Sequence, residues 1–153
     1  MILDSFMKFC AALLLIGSAA HGAEKHKITG FSMGCGHMVR TENYSFYLRL
    51  DAKSGKVLFD ANCWQGDKEI RFENREVDRS VWDAFLKLAE QHNLRNAPKP
   101  PKPDLTLDIR DDTSYGMELC FADKTKKEIA PSEKTREIFK AFMKKIANKN
   151  PLT

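Results

Sequence analysis

From Tyr44 to Leu50 apolar and polar side chains alternate one by one, so Tyr44, Phe46, Leu48 and Leu50 share one face of an extended strand. Asp51-Ala52-Lys53-Ser54-Gly55 is turn chemistry. The alternation then resumes from Lys56 to Trp64, with Val57, Phe59, Ala61 and Cys63 on one side, and the pair predicts a hairpin. Gln65-Gly66-Asp67-Lys68 turns the chain again before Glu69 to Arg75, where Ile70 and Phe72 stand between charges as on an edge strand. The period next lengthens to that of a helix. Asp78 is placed to cap it, Val81, Phe85, Leu88 and Ala89 form its apolar stripe, Val77 and Trp82 have the spacing of a hydrophobic staple, and Asn93 ends it. Prolines at 98, 100, 101 and 103 make residues 97–103 an extended Pro/Lys-rich connector.

Beyond the connector, Leu105, Leu107 and Ile109 alternate with polar residues, and Asp111-Asp112-Thr113 supplies a turn. Tyr115, Met117, Leu119 and Phe121 then share a strand face from which Cys120 points away. Asp123-Lys124-Thr125 leads into a short strand ending at Ile129. Pro131-Ser132 opens a last helix that buries Ile138, Phe139, Phe142, Met143 and Ile146. The connections are too short for parallel crossovers. The pattern therefore predicts an α+β fold, with one antiparallel sheet of about six to seven strands and two helices packed on one face, as a single domain over residues 26–150.

The first residues read differently. Lys8 precedes the apolar run Phe9 to Ile16, which ends in Gly17, Ser18, Ala19 and Ala20, the pattern of a secretory signal peptide over residues 1–20. Cleavage after Ala20 satisfies the small-residue rule better than cleavage after Ala23. As a helix, Phe9 to Ala20 would rise about 18 Å, too little to span a bilayer, so no membrane span is expected in the mature chain. The expected location is periplasmic or secreted. Removal of the leader takes Cys10 with it and leaves Cys35, Cys63 and Cys120 in an oxidising compartment, which permits one disulfide. A formal net charge of +4 suits a modest attraction to an acidic protein or anionic envelope component and is too small to suggest nucleic acid.

Several pieces of this order carry a resemblance. Ile28-x-x-Phe31 runs into a glycine-rich stretch with Met38, Tyr44-x-Phe46-x-Leu48 follows, Val77-Asp78 opens a helix, and Asp112-x-Ser114-Tyr115 precedes Leu119-x-Phe121-x-Asp123. Together they resemble an uncharacterised group of bacterial exported and lipoprotein α+β domains, over nearly the whole chain after the leader. The resemblance implies a fold and a location and brings no activity. The cysteines and the Pro/Lys connector depart from that pattern.

Ser32-Met33-Gly34-Cys35-Gly36-His37-Met38 concentrates metal-binding chemistry. Met33, Cys35, His37 and Met38 offer thioether, thiolate and imidazole donors suited to copper or zinc. Against this, Gly34 and Gly36 are expected to bend the backbone between the first two strands and scatter those donors. The simpler expectation is a disulfide between Cys35 and Cys63, whose strand ends fall at the same edge of an antiparallel sheet. His21 or His26 near a new N-terminus could also hold Cu(II). No phosphate loop, nucleophile elbow or His-Glu-x-x-His helix is present. Cys35 with His37 or His92, and the carboxylates of Asp108, Asp111 and Asp112, have ordinary structural explanations. No catalysis and no cofactor are expected. The reading that remains is a non-catalytic binding domain, of inhibitor or immunity type, which recognises its partner through Lys99 and Lys102 on the connector and through Tyr47, Trp64 and Arg71, opposite the apolar rows. The alternative is a periplasmic soft-metal protein using the Met33 to Met38 segment.

Overall fold

The computed structural model describes residues 26–37, 39–102 and 114–149. Its elements are β1 (Ile28–Gly36), β2 (Tyr44–Leu50), β3 (Val57–Gln65), β4 (Lys68–Val77), α1 (Arg79–Gln91), β5 (Ser114–Phe121), β6 (Lys126–Glu128) and α2 (Glu133–Asn148). Short 3-10 turns lie at Arg40–Glu42 and Leu94–Asn96. The strands form one six-stranded sheet in the order β4-β3-β2-β1-β5-β6, antiparallel at every junction. The α+β architecture is the one the hydrophobic pattern calls for.

Period-two alternation puts Phe31, Met33 and Cys35 of β1 beside Phe46 and Leu48 of β2, Phe59 and Cys63 of β3, and Met117 and Leu119 of β5, all buried on one face. Both helices cover that face. Phe31 stacks on Phe85 of α1 at 5.1 Å between ring centres and lies 5.5 Å from Phe139 of α2, and Phe85 meets Phe139 edge-on at 6.2 Å. One ring thus touches both helices, and removing it would open the centre of the core.

The helix ends follow from their sequences. The Asp78 carboxylate accepts a hydrogen bond from the Ser80 backbone N–H, satisfying a donor the first turn leaves free. Asn93, with φ of 48°, takes the left-handed conformation that stops α1. At the start of α2, the Ser132 hydroxyl accepts from the Thr135 N–H.

One expectation is overturned. The glycines of the Ser32 to Met38 segment do not bend the chain, because β1 runs straight through Gly34 to Gly36 with β2 and β5 paired on either side. Close approach accounts for Gly36 and, earlier in the strand, for Gly30. A Cβ on Gly36 would lie 3.0 Å from the Ser114 hydroxyl, and one on Gly30 would lie 3.2 Å from both the Cys120 Cβ and the Tyr47 ring. The reversal into β2 comes later, in residues 37–43. The expected leader, Met38, the expected strand of Leu105, Leu107 and Ile109, and the carboxylates of Asp108, Asp111 and Asp112 lie outside the described residues.

Candidate functional site

The sheet face away from the helices is built from the intervening positions of the same strands. Cross-strand pairing sets them in rows. Arg71, Asn62, Ser45, Gly34 and Gly116 form one, and Asp60, Tyr47, Ser32, Glu118 and Glu128 form the next. A third runs from Glu76 through Leu58, Arg49, Gly30 and Cys120 to Lys126. In the middle of this face the positions are small: Gly30, Ser32, Gly34, Ser45 and Gly116. Ser32, Gly34, Ser45 and Gly116 floor a groove of about 630 Å³, which Tyr47, Pro100, Ala130 and Pro131 also line.

Of the expected binding residues, Tyr47 lines this groove, and Trp64, Arg71, Lys99 and Lys102 lie outside its lining. Tyr47 lies over Gly30 against Cys120, and the Arg49 guanidinium stacks on its ring at 4.8 Å while standing 3.0 Å from the Asp60 carboxylate. Trp64 lies under Arg40 at 5.1 Å, and Arg71 is exposed beside Asn62. The described part of the connector, Ala97 to Lys102, has no regular secondary structure, and Lys99 and Lys102 are exposed. The Pro98 carbonyl accepts a 2.7 Å hydrogen bond from the Ala130 N–H, which ties the connector to the rim that Pro100 forms. The structure thus places Tyr47, Trp64 and Arg71 on one face of the sheet. The charged residues that line the groove are Glu118 and Glu128, paired across β5 and β6, Lys126, which stands 3.6 Å from Glu118, and Arg136.

The expected Cys35–Cys63 disulfide is not formed, and the cysteines at 35, 63 and 120 are free thiols. The sheet order explains this correction. Cys35 and Cys63 do share a face and an end of the sheet, but β2 runs between their strands, with Tyr44 directly opposite Cys35. Two strand spacings separate them, about 9.6 Å, beyond the roughly 4.4 to 6.8 Å between Cα atoms that a disulfide spans. Cys120 is on the other face. Burial raises the pKa of all three thiols. At Cys35 it outweighs the nearby Lys140 and Arg136, and at Cys120 Glu118 adds to it. Each is therefore held as a thiol at neutral pH and is a weak nucleophile and metal ligand.

Met33 and Cys35 project into the helix-covered core at 3% and 9% exposure, and His37 lies past the end of β1. The His37 Nδ1 accepts a 3.0 Å hydrogen bond from the Val39 N–H and stands 3.2 Å from the Glu42 carboxylate, so it serves the reversal into β2. Among the described residues no three His, Cys, Asp or Glu side chains gather into a metal-holding cluster. No described helix is long and apolar enough to cross a membrane.

Comparison with known protein families, with curated proteins and with solved structures finds no match to this chain. What the site does is thus argued from its own geometry. The groove was missed from the sequence, although a signal for it exists: Gly30, Ser32, Gly34 and Gly36 alternate with the apolar residues of β1. A strand whose second face carries almost no side chains leaves a hollow there.

Proposed function

We propose that this chain is a non-catalytic binding domain of the cell envelope or the secreted space, which recognises an acidic protein or anionic envelope component through its uncovered sheet face. The groove of about 630 Å³ carries this reading, because it joins the Tyr47 side of the face to the Pro98–Pro100 rim across a floor of small residues. Aromatic and arginine side chains beside a hollow are what protein interfaces use as anchors, and Tyr47, Trp64 and Arg71 are of that type. The charges lining the groove balance, Glu118 and Glu128 against Lys126 and Arg136, and the pull on an acidic partner comes from exposed cations outside the lining, Arg71 and Arg40 and the connector's Lys99 and Lys102. The one cysteine placed on this face among the described residues, Cys120, is kept protonated by burial and by Glu118, which favours recognition over reaction there.

The test is capture from envelope extract on immobilised protein. Wild type is compared with Lys99→Glu/Lys102→Glu and with Tyr47→Ala/Arg71→Glu, after circular dichroism has shown each variant to be folded. Loss of the same captured species from both variants is expected. A capture profile unchanged in both would refute the reading.

A further inference from the structure

Strand β4 is the last of the sheet on its side, and among the described residues no strand lies beyond it. Residues 103–113 join the chain at β5, four strand spacings or about 19 Å away across the sheet. The way β4 meets β3 decides which of its backbone groups face outward. Gln65 and Lys68 pair across the two-residue turn Gly66-Asp67, where Gly66 has φ of 60°, and such a turn closes on a hydrogen-bonded pair. Bonded and non-bonded pairs alternate from there. Ile70 and Phe72 therefore bond inward to Cys63 and Ala61, whereas Glu69 and Arg71, opposite Trp64 and Asn62, turn their N–H and C=O to the outer edge. The register is unbroken from Lys68 to Phe72. The bulge comes after it, where Asn74 takes φ of 54° and its N–H bonds the Asp60 carboxylate at 2.7 Å.

Charged side chains are a usual guard of sheet edges, and charges of a single sign would repel a second copy in every register. Here Glu69, Arg71 and Glu73 alternate in sign, and all three are exposed. A two-fold pairing centred on Arg71 sets Arg71 on Arg71 and Glu69 on Glu73, which repels. One centred on Ile70 sets Glu69 opposite Arg71 of the second copy and Arg71 opposite its Glu69. Both members of each pair are the residues whose backbone groups face outward, so the main chains match in the register in which the charges match. Ile70, half-buried on the helix side, then meets Ile70 of the second copy. Asp67 and Glu73 would be the next like-charged pair, but they lie in the turn and at the bulge, past the ends of the ladder. A register centred on Phe72 also matches Arg71 with Glu73. It fails one step on, because beyond the bulge Arg75 is turned to the helix side, over the Phe72 ring at 3.5 Å, and does not reach Glu69.

We propose that β4 pairs with β4 of a second copy of this chain, antiparallel about a two-fold axis at Ile70, so that two six-stranded sheets become one. Main-chain bonds at Glu69 and Arg71 supply the attraction, and the reciprocal Glu69–Arg71 pairs select the register. The axis stands perpendicular to the sheet, so the two uncovered faces, each with its groove, point the same way. The inference goes beyond the proposed function, since the edge would pair whatever the grooves bind.

The test is sedimentation equilibrium, with hydrogen exchange as the second readout. Wild type is expected to form a dimer as its concentration rises, and the Glu69 and Arg71 amides to gain protection with it. Glu69→Lys and Arg71→Glu should each weaken the dimer about tenfold or more by setting like charges opposite each other. An equimolar mixture of the two should form a heterodimer, since each variant carries the charge the other needs, and a variant that had merely misfolded would not be rescued in this way. Glu73→Lys should leave the dimer intact. A wild type still monomeric at about 1 mM would overturn the proposal. So would a mixture of the two variants that stays monomeric, a dimer weakened by Glu73→Lys and untouched by Glu69→Lys, or Glu69 and Arg71 amides already protected in dilute monomer, their edge taken by another part of the same chain. Capture of an envelope species by a chain that never dimerises would sink this inference and leave the proposed function standing, and a dimer that captures nothing would do the reverse.

Discussion

Replacing Cys63 with alanine separates two pictures of this sheet. If Cys35 and Cys63 were bridged, the substitution would release a closed loop of that length, worth about 3.5 kcal/mol of unfolded-state entropy. With β2 and Tyr44 between them the two sulfurs are independent, and Cys63→Ala removes one buried heavy atom from a site at 1% exposure. By comparison with losing a single methyl from a core, that costs about 1 kcal/mol. Urea unfolding measured with and without reductant reads the difference. Wild type should show one midpoint under both conditions, and Cys63→Ala should lie about 1 kcal/mol below it in both. Iodoacetamide should label Cys120 first in the native protein, since Cys35 and Cys63 are buried, and all three in denaturant. A loss of 3 kcal/mol or more, reproduced by adding reductant to wild type, would refute the reasoning, as would a Cys35–Cys63 linked peptide in a non-reducing digest.

Two further outcomes follow from the core. Phe31→Ala should cost about 3 to 5 kcal/mol, because this fully buried ring packs on both Phe85 and Phe139. Urea unfolding would contradict the packing argument if the loss stayed under about 1 kcal/mol. Burial, aided by the neighbouring Cys35, pushes the Tyr44 hydroxyl up to about 12. A tyrosine whose pKa is higher folded than unfolded contributes stability that is intact below the unfolded value, about 10, and is lost as pH rises toward 12. The urea midpoint should fall across that window in wild type and fall less in Tyr44→Phe; equal slopes would remove Tyr44 as the cause.

Where one face of a strand was apolar and the other polar, the pattern carried the structure. The Tyr44–Leu50 strand, the hairpin after it, the capping by Asp78 and the stop at Asn93 follow from alternation and end chemistry, which are local. The arrangement in space is not local. That β1 leaves β2 on one side and takes β5 on the other is decided by which apolar faces can share two helices, and nothing in residues 28–36 announces it. The disulfide expectation failed at that step: two strand ends at one edge of the sheet need not be neighbours. The glycines misled for a related reason. Read alone, Gly34 and Gly36 signal a bend; both instead continue a paired strand, where Gly36 lets Ser114 come close and Gly34 has only ordinary neighbours.

Strand β1 ties the core and the groove to a single register. From Gly30 onward its odd positions, Phe31, Met33 and Cys35, fill the core, and on the other face Ser32, Gly34 and Gly36 leave the surface nearly bare while the Tyr47 ring covers Gly30. Ile28 is also buried, because a bulge between Ile28 and Gly30 resets the alternation. A slip of one residue would send Phe31 to the open face and glycine into the core, so the burial that selects the fold also selects the hollow. A side chain added to the floor leaves that register untouched, since the helix-facing residues stay where they are. At Gly34, where an added Cβ would have only ordinary contacts at 3.4 Å and beyond, the floor can be raised with little strain. The bareness of this face is therefore not imposed by folding at every position, which is the physical ground for assigning it to binding.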